Sequence, residues 1–181
     1  MNFKRILAID PSGSFEEGQG TTGICFWNCE TNKVQNFYTI RASQYKQKEE
    51  YWQTHLNFIS SFLSYGPEII VVIEDFMLDP ARALQQSYSR METSKLIGIM
   101  QTYLFQKKIA YAMQRPAEVK TRWADPILLH KGVLVRVNKR YYLPNGDRIV
   151  NKHCRDAIRH AIHFDTFKNG RNKFSNKGGT R

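Results

Sequence analysis

Cysteine is scarce in this chain, with three among 181 residues: Cys25, Cys29 and Cys154. An odd count without a C-x-x-C pair excludes a disulfide framework and a zinc ribbon. Cys25 and Cys29 straddle the end of an expected strand and share a face, yet two thiols alone hold no structural zinc. All three read as reduced thiols of a reducing compartment. Long apolar runs are missing too. The longest aliphatic run, Ile69-Ile70-Val71-Val72-Ile73, falls far short of the ~20 residues of a membrane helix. Lys4-Arg5 is followed by only four aliphatic residues before Asp10, too few for the h-region of a signal peptide. Amphipathic stretches with a basic face are also lacking, which argues against a membrane-surface role. No internal repeat is visible. The expectation is a soluble cytoplasmic protein with one domain, because 181 residues suffice for one core and are short for two.

Acidic side chains are the remaining shortage, and it is local. Residues 1–80 carry 6 basic and 10 acidic side chains, whereas residues 81–181 carry 21 and 6. The chain as a whole is at +11 and its second half at +15. Such asymmetry implies a polyanionic partner met mainly by the second half, nucleic acid before any other. With 41% hydrophobic and 24% charged residues, the composition is that of a folded protein.

What is present reads as a regular order of elements. β-branched and aromatic runs predict strands at 4–10, 21–28 and 34–40, with turns at 11–14 and 30–33. Trp52, Leu56, Ile59 and Phe62-Leu63 recur at helical spacing until Gly66-Pro67 stops them. The run at 69–73 is apolar on both faces and belongs in the middle of a covered sheet. A loop from Asp79-Pro80 leads to a helix over 89–107, a strand at 109–113 and a helix opened by Pro116. Strand-like stretches at 140–143 and 147–150 flank the turn Pro144-Asn145-Gly146. Asn151 is placed to cap a last helix over 152–167. Residues 169–181 read as a basic flexible tail behind a domain of residues 1–168. The order β-β-β-α-β-α-β-α, then hairpin and helix, specifies an α/β fold. Its mixed five-stranded sheet combines an antiparallel meander with parallel strands, and helices cover both faces.

Three carboxylates stand out by position. Asp10 ends the first strand, Glu74 ends the fourth, and Asp156 lies in the first turns of the last helix. Acids at the ends of adjacent central strands point into one crevice, and gathering several there calls for a divalent cation. Two Mg²⁺ ions about 3.5–4 Å apart, bridged by a shared carboxylate, form a phosphodiester-cleaving clamp. Singly, each acid has a plain structural use: Asp10 capping a turn, Glu74 paired with an arginine, Asp156 favouring a helix N-terminus. At about 100° per residue, Ala157, Ile158, Ala161 and Phe164 form the core stripe of the last helix. His153, Asp156, His160 and His163 border it, and Arg155 and Arg159 fall on the side expected to face solvent. His153 and Asp156 can reach one ion. The three histidines span about 15 Å, too far for one zinc, so His160 and His163 are expected behind the ligands or at the surface.

Together, Ile9-Asp10-Pro11-Ser12-Gly13 with Thr22-Gly23, Val72-Ile73-Glu74-Asp75-Phe76-Met77, Pro116-Ala117-Glu118-Val119-Lys120 and His153-Cys154-Arg155-Asp156-Ala157 resemble the RuvC family of Holliday-junction resolvases. The resemblance covers residues 3–165. It implies an RNase H-like fold and a Mg²⁺-dependent crossover junction endodeoxyribonuclease, with two ions per site and Mn²⁺ able to substitute. Asp10, Glu74 and Asp156 would be catalytic and metal-binding acids, and His153 would fill the place of a fourth. Asp10 would bridge both ions, Glu74 would hold one, and His153 with Asp156 the other. Lys120 matches a catalytic-face lysine and Lys131 sits at the spacing of a second. The family's junction-wedging aromatic follows the second acid by three residues; here Met77 does, and Phe76 follows by two. Phe76, Met77, Arg115, Lys120 and Lys131 make up the expected DNA-binding set. The implied partners are a four-way junction and a second copy of the chain, with no nucleotide cofactor. Leu96, Ile99, Met100 and Tyr103 offer an apolar interface for that copy, and core packing explains them equally well. The loop over 11–22 is longer than usual in the family and the hairpin over 141–150 looks like an insertion. Such divergence is that of a bacteriophage-type member, acting in a bacterial or phage-infected cell.

Other readings remain at this point. An RNase H or a terminase-type nuclease shares the fold. Gly20-Thr21-Thr22-Gly23 faintly matches the phosphate loop of sugar-kinase and actin-like ATPases, which need a second such domain. A non-catalytic DNA-binding module would tolerate loss of Asp10. The tail, with Lys168, Arg171, Lys173, Lys177 and Arg181, is expected to add backbone affinity without choosing the substrate. Junction selection is assigned to Lys120, Lys131, Phe76-Met77 and the hairpin.

Overall fold

Along the first strand Ile6, Ala8 and Asp10 alternate with Leu7 and Ile9, and this period of two decides which face of the sheet carries the acids. The computed structural model of the chain describes residues 2–16, 18–76, 91–149 and 151–170. Its strands are β1 (Arg5–Asp10), β2 (Thr21–Asn28), β3 (Lys33–Arg41), β4 (Ile69–Glu74), β5 (Tyr111–Gln114), β6 (Val135–Val137), β7 (Arg140–Tyr142) and β8 (Arg148–Ile149). Its helices are α1 (Lys48–Leu63), α2 (Glu92–Gln106), α3 (Pro116–Arg122), α4 (Asp125–His130) and α5 (Lys152–Phe167).

The main sheet runs β3-β2-β1-β4-β5. β1 pairs antiparallel with β2 and parallel with β4, β2 pairs antiparallel with β3, and β4 pairs parallel with β5. This is the mixed five-stranded α/β arrangement that the sequence implies. Leu7, Ile9, Val71 and Ile73 face α1 and α2, where Tyr51, Ile59, Phe62, Leu96, Met100 and Leu104 complete a core. Ile6, Ala8, Cys25, Trp27, Ile70 and Val72 face α5, packing on Ala157, Ile158, Ala161 and Phe164. All three cysteines are buried thiols. No helix among the described residues is long and apolar enough to cross a membrane.

Several expectations are corrected. Of the two uses open for Leu96 and Met100, dimer interface or core, the structure bears out the core: both are fully buried against the sheet. They belong to the core stripe of α2, and only Ile99 and Tyr103 of that set border an open groove, beside Trp52 and Leu56 of α1. The expected hairpin forms, with β7 pairing antiparallel to β8, but the segment after α3 holds more. It holds the short helix α4 and a separate sheet of order β6-β7-β8, whose first strand of three residues is too short to show a period. That segment covers the side of α5 expected to face solvent. Arg159 is consequently half-buried and Arg155 stacks on the Tyr141 ring, 4.3 Å from its centroid. Asn169, expected in the tail, is fully buried. Its amide donates to the Phe3 carbonyl (2.9 Å) and its side-chain oxygen accepts from the Phe3 N–H (2.8 Å). The expected roles of Met77, of the loop from Asp79 and of residues 171–181 lie outside the described residues.

Candidate metal centre

Strand register lays out a row across the sheet. Asp10 pairs with Gly23 on one side, Ile9 with Ile73 on the other so that Glu74 lies next to Asp10, and Glu74 pairs with Gln114. Gly23, Asp10, Glu74 and Gln114 therefore line up on the α5 face, about 4.8 Å from strand to strand. α5 crosses above this row. Its residues 153, 156 and 160 recur every three to four positions, about 4.5–6 Å of helix rise, which matches the strand spacing. Asn151 caps the helix by accepting the Cys154 N–H (2.8 Å), and Gly23 lets its first turn approach the sheet closely.

The result is a cluster in which oxygens of Asp10, Glu74 and Asp156 all lie within 4.8 Å of one another. Asp10 is 4% and Asp156 1% exposed. Lys120 from α3 donates to Glu74 Oε1 (2.8 Å) and sits 3.2 Å from Asp156 Oδ2. Arg159 donates to Asp156 and to Asp125, and its Nε donates to the Trp123 carbonyl (2.9 Å). His153 Nδ1 lies 2.8 Å from Asp10 Oδ2. Behind Glu74, His160 is fully buried, with Nε2 2.8 Å from Glu74 Oε2 and Nδ1 2.8 Å from Gln114 Oε1.

These contacts set the protonation chemistry. Burial pushes the Asp10 carboxyl above its ordinary range, aided by the Glu74 charge and opposed by the His153 bond. Burial would raise Glu74 as well, but hydrogen bonds from His160 and Lys120 outweigh it and hold that carboxyl below the usual value. The bond to Asp10 raises His153. Lys120 is raised too, since Glu74, Asp156 and Asp10 overcome its own desolvation. A site of three converging carboxylates, mostly dry, is a hard-oxygen donor set suited to a divalent cation.

The crevice over the cluster has a volume of about 250 Å³ and is walled by Ser12, Phe76, Thr93, Ile97, Lys152 and His153 among others. The loop wall is fixed from behind. Gly13 N donates to Thr93 Oγ1 (3.0 Å) and Phe15 N to Glu92 Oε2 (2.8 Å). Below it, Tyr51 donates to the Ser12 carbonyl (2.6 Å), and Thr22 Oγ1 accepts from Ser12 N (3.1 Å).

Of the residues singled out by sequence, Asp10, Glu74, Asp156, His153, Lys120 and Phe76 come together in this crevice. Arg115 is exposed on the residue preceding α3. Lys131 stands elsewhere, with its ammonium over the Trp123 ring at 5.7 Å, lining a separate concavity with Lys33 and Asn145. His163 lies 3.3 Å from Glu118, at the far end of the helix stripe. Arg159 and Gln114 were missed. Gln114 gave no signal in the sequence, since the strand expected at 109–113 stops one residue short of it and its level beside Glu74 comes from the register.

Two solved structures share the architecture. RuvC from Thermus thermophilus in complex with a Holliday junction substrate aligns at a TM-score of 0.62 with 14% identity, covering 87% of this chain and 90% of that one. A second Thermus thermophilus RuvC structure aligns at 0.59 with 14% identity, covering 87% and 91%. The chain has a RuvC-like, RNase H-like α/β fold. At the level of sequence, neither a family model nor a curated protein matches.

Proposed function

We propose that this protein is a metal-dependent, structure-selective endodeoxyribonuclease that resolves four-way or branched DNA junctions. The observation that carries the reading is the convergence of Asp10, Glu74 and Asp156 within 4.8 Å on a fold shared with a junction-bound RuvC. Asp10, Glu74 and Asp156 would hold two Mg²⁺ ions, with His153 at their border. The ions would supply charge neutralisation at the phosphate and an activated water, for cleavage to a 5′-phosphate and a 3′-hydroxyl.

The chain's own groups do the rest. Lys120, on the open side of the cluster, holds Glu74 and Asp156 apart from each other's charge and presents an ammonium to the scissile phosphate. Arg159 neutralises Asp156 from the buried side, and His160 fixes the rotamer of Glu74. Phe76, which lines the crevice, would meet an unstacked base beside the cut. A four-way junction has approximate two-fold symmetry, so paired nicks call for a homodimer, for which the groove of Trp52, Leu56, Ile99 and Tyr103 is the surface.

The test is incubation of the wild type and Asp10→Asn with end-labelled four-way junction, linear duplex and RNA–DNA hybrid, with and without Mg²⁺. Symmetric junction cleavage that needs Mg²⁺ and Asp10 is expected. Preference for the hybrid would assign an RNase H activity instead, and cleavage in excess EDTA would overturn the mechanism.

A further inference from the structure

The small sheet β6-β7-β8 has two unlike faces. Tyr141 and Ile149 pair across β7 and β8 and turn inward, Ile149 into the core and Tyr141 against it. Tyr141 is clamped there between Arg155 and Arg136, whose guanidinium carbons lie 4.3 and 5.7 Å from its centroid. Alternation sends the other set outward: Val135 opposite Tyr142, Val137 opposite Arg140, and Tyr142 opposite Arg148. On this face Val135 is 41% and Val137 50% exposed. Together with Tyr142 and Pro144 they line an open groove of about 380 Å³. Arg140 and Arg148 are exposed beside it. Lys139 stands at the tip of the β6–β7 turn, at a left-handed φ of 64° after Asn138 at 48°, where glycine is the usual residue.

An apolar strip flanked by arginines fits a strand of nucleic acid, with cations on the phosphates and aliphatic and aromatic groups against sugars or bases. The sheet is also tied to the metal centre. Arg148 is four residues before Lys152, which lines the crevice, so the two are at most about 14 Å apart along the chain. Arg155, which holds Tyr141, is the neighbour of Asp156. We propose that the outward face of β6-β7-β8 binds the DNA backbone of one substrate arm, on the side of the crevice lined by Lys152. The inference rests on the nuclease reading for its placement, and on the sheet alone for its chemistry.

The experiment uses the full chain as wild type and as Arg140→Gln/Arg148→Gln, with Arg140→Glu/Arg148→Glu as a stronger pair. Binding to a fluorescent four-way junction is followed by anisotropy in EDTA from 50 to 200 mM salt, with thermal melts as the folding check. Loss of two phosphate contacts should lower the log–log salt slope by about two and weaken binding at least tenfold near 100 mM salt. Unchanged affinity and slope in the glutamine pair would overturn the proposal. So would a wild-type dimer that the same pair dissociates, which would make this face a contact between copies. The two readings fail separately. Wild type that binds but does not cut, with a variant that loses binding, sinks the nuclease and keeps the DNA face. Wild type that cuts, with a variant that binds equally well, does the reverse.

Discussion

Gly23 lies directly under the backbone of His153. A β-carbon built on it would overlap the carbonyl carbon of His153 and the nitrogen of Cys154. Because Gly23 is also the strand partner of Asp10, this one contact sets the height of α5 over the acidic row. Gly23→Ala is expected to cost about 1–3 kcal/mol through overpacking and to weaken Mn²⁺ binding. Melting temperature and calorimetry read the two effects. Gly98→Ala on α2, where a β-carbon meets open space, should instead gain up to about 1 kcal/mol.

Asp10→Asn separates function from stability. Burial and the Glu74 charge disfavour the ionised form of Asp10, so a neutral isostere removes an unfavourable charge. In EDTA the variant should melt at or above the wild-type temperature, while the rise in melting temperature on adding Mg²⁺ or Mn²⁺ disappears. A variant that melts lower in EDTA, yet still gains from metal, would contradict both halves.

His160 acts as a positioning residue through Glu74. Removing its buried donor in His160→Ala should lower metal affinity and cleavage about 10- to 100-fold, with about 1–3 kcal/mol lost from the unsatisfied carboxylate. His160→Gln, which can still donate to Glu74, should recover most of the metal affinity measured by titration calorimetry. Equal losses in the two variants would reduce His160 to a packing role.

His55 makes stability depend on pH away from the metal centre. Its Nδ1–H donates to the Tyr51 carbonyl (2.8 Å), so Nε2 accepts from the Thr22 hydroxyl (2.9 Å) and the ring is neutral. Burial lowers its pKa from 6.5 to about 4. Between those values the unfolded chain takes up a proton that the folded one refuses. The contribution, about 3 kcal/mol, is fully present above pH 6.5 and is lost as pH falls through 4. His55→Gln should flatten the fall in melting temperature across that window, and an unchanged slope would rule the histidine out.

The positions of Asp10 and Glu74 were legible because each ends a strand whose period of two is written in aliphatic residues. Their meeting needed only the inference that β1 and β4 are neighbours. The stripe of His153, Asp156 and His160 was legible from the helical wheel. What the wheel could not show was that a preceding segment covers the face carrying Arg155 and Arg159. Arg159 looks solvent-bound on α5 and is half-buried because the junction of α3 and α4 packs on it, Trp123 and Asp125 accepting its hydrogen bonds. β6 was illegible for another reason: three residues cannot display alternation. Gln114 carried no signal of its own, being a common polar residue whose meaning comes from its level beside Glu74.

The acidic cluster joins the first strand of the chain to its last helix. Asp10 and Glu74 lie on strands made early, while Asp156 arrives only with α5, well after both. α5 is then held at both ends, by the Gly23 contact at its start and by Asn169 on Phe3 at its finish. A chain cut short before α5 therefore has two of the three carboxylates and lacks the cluster.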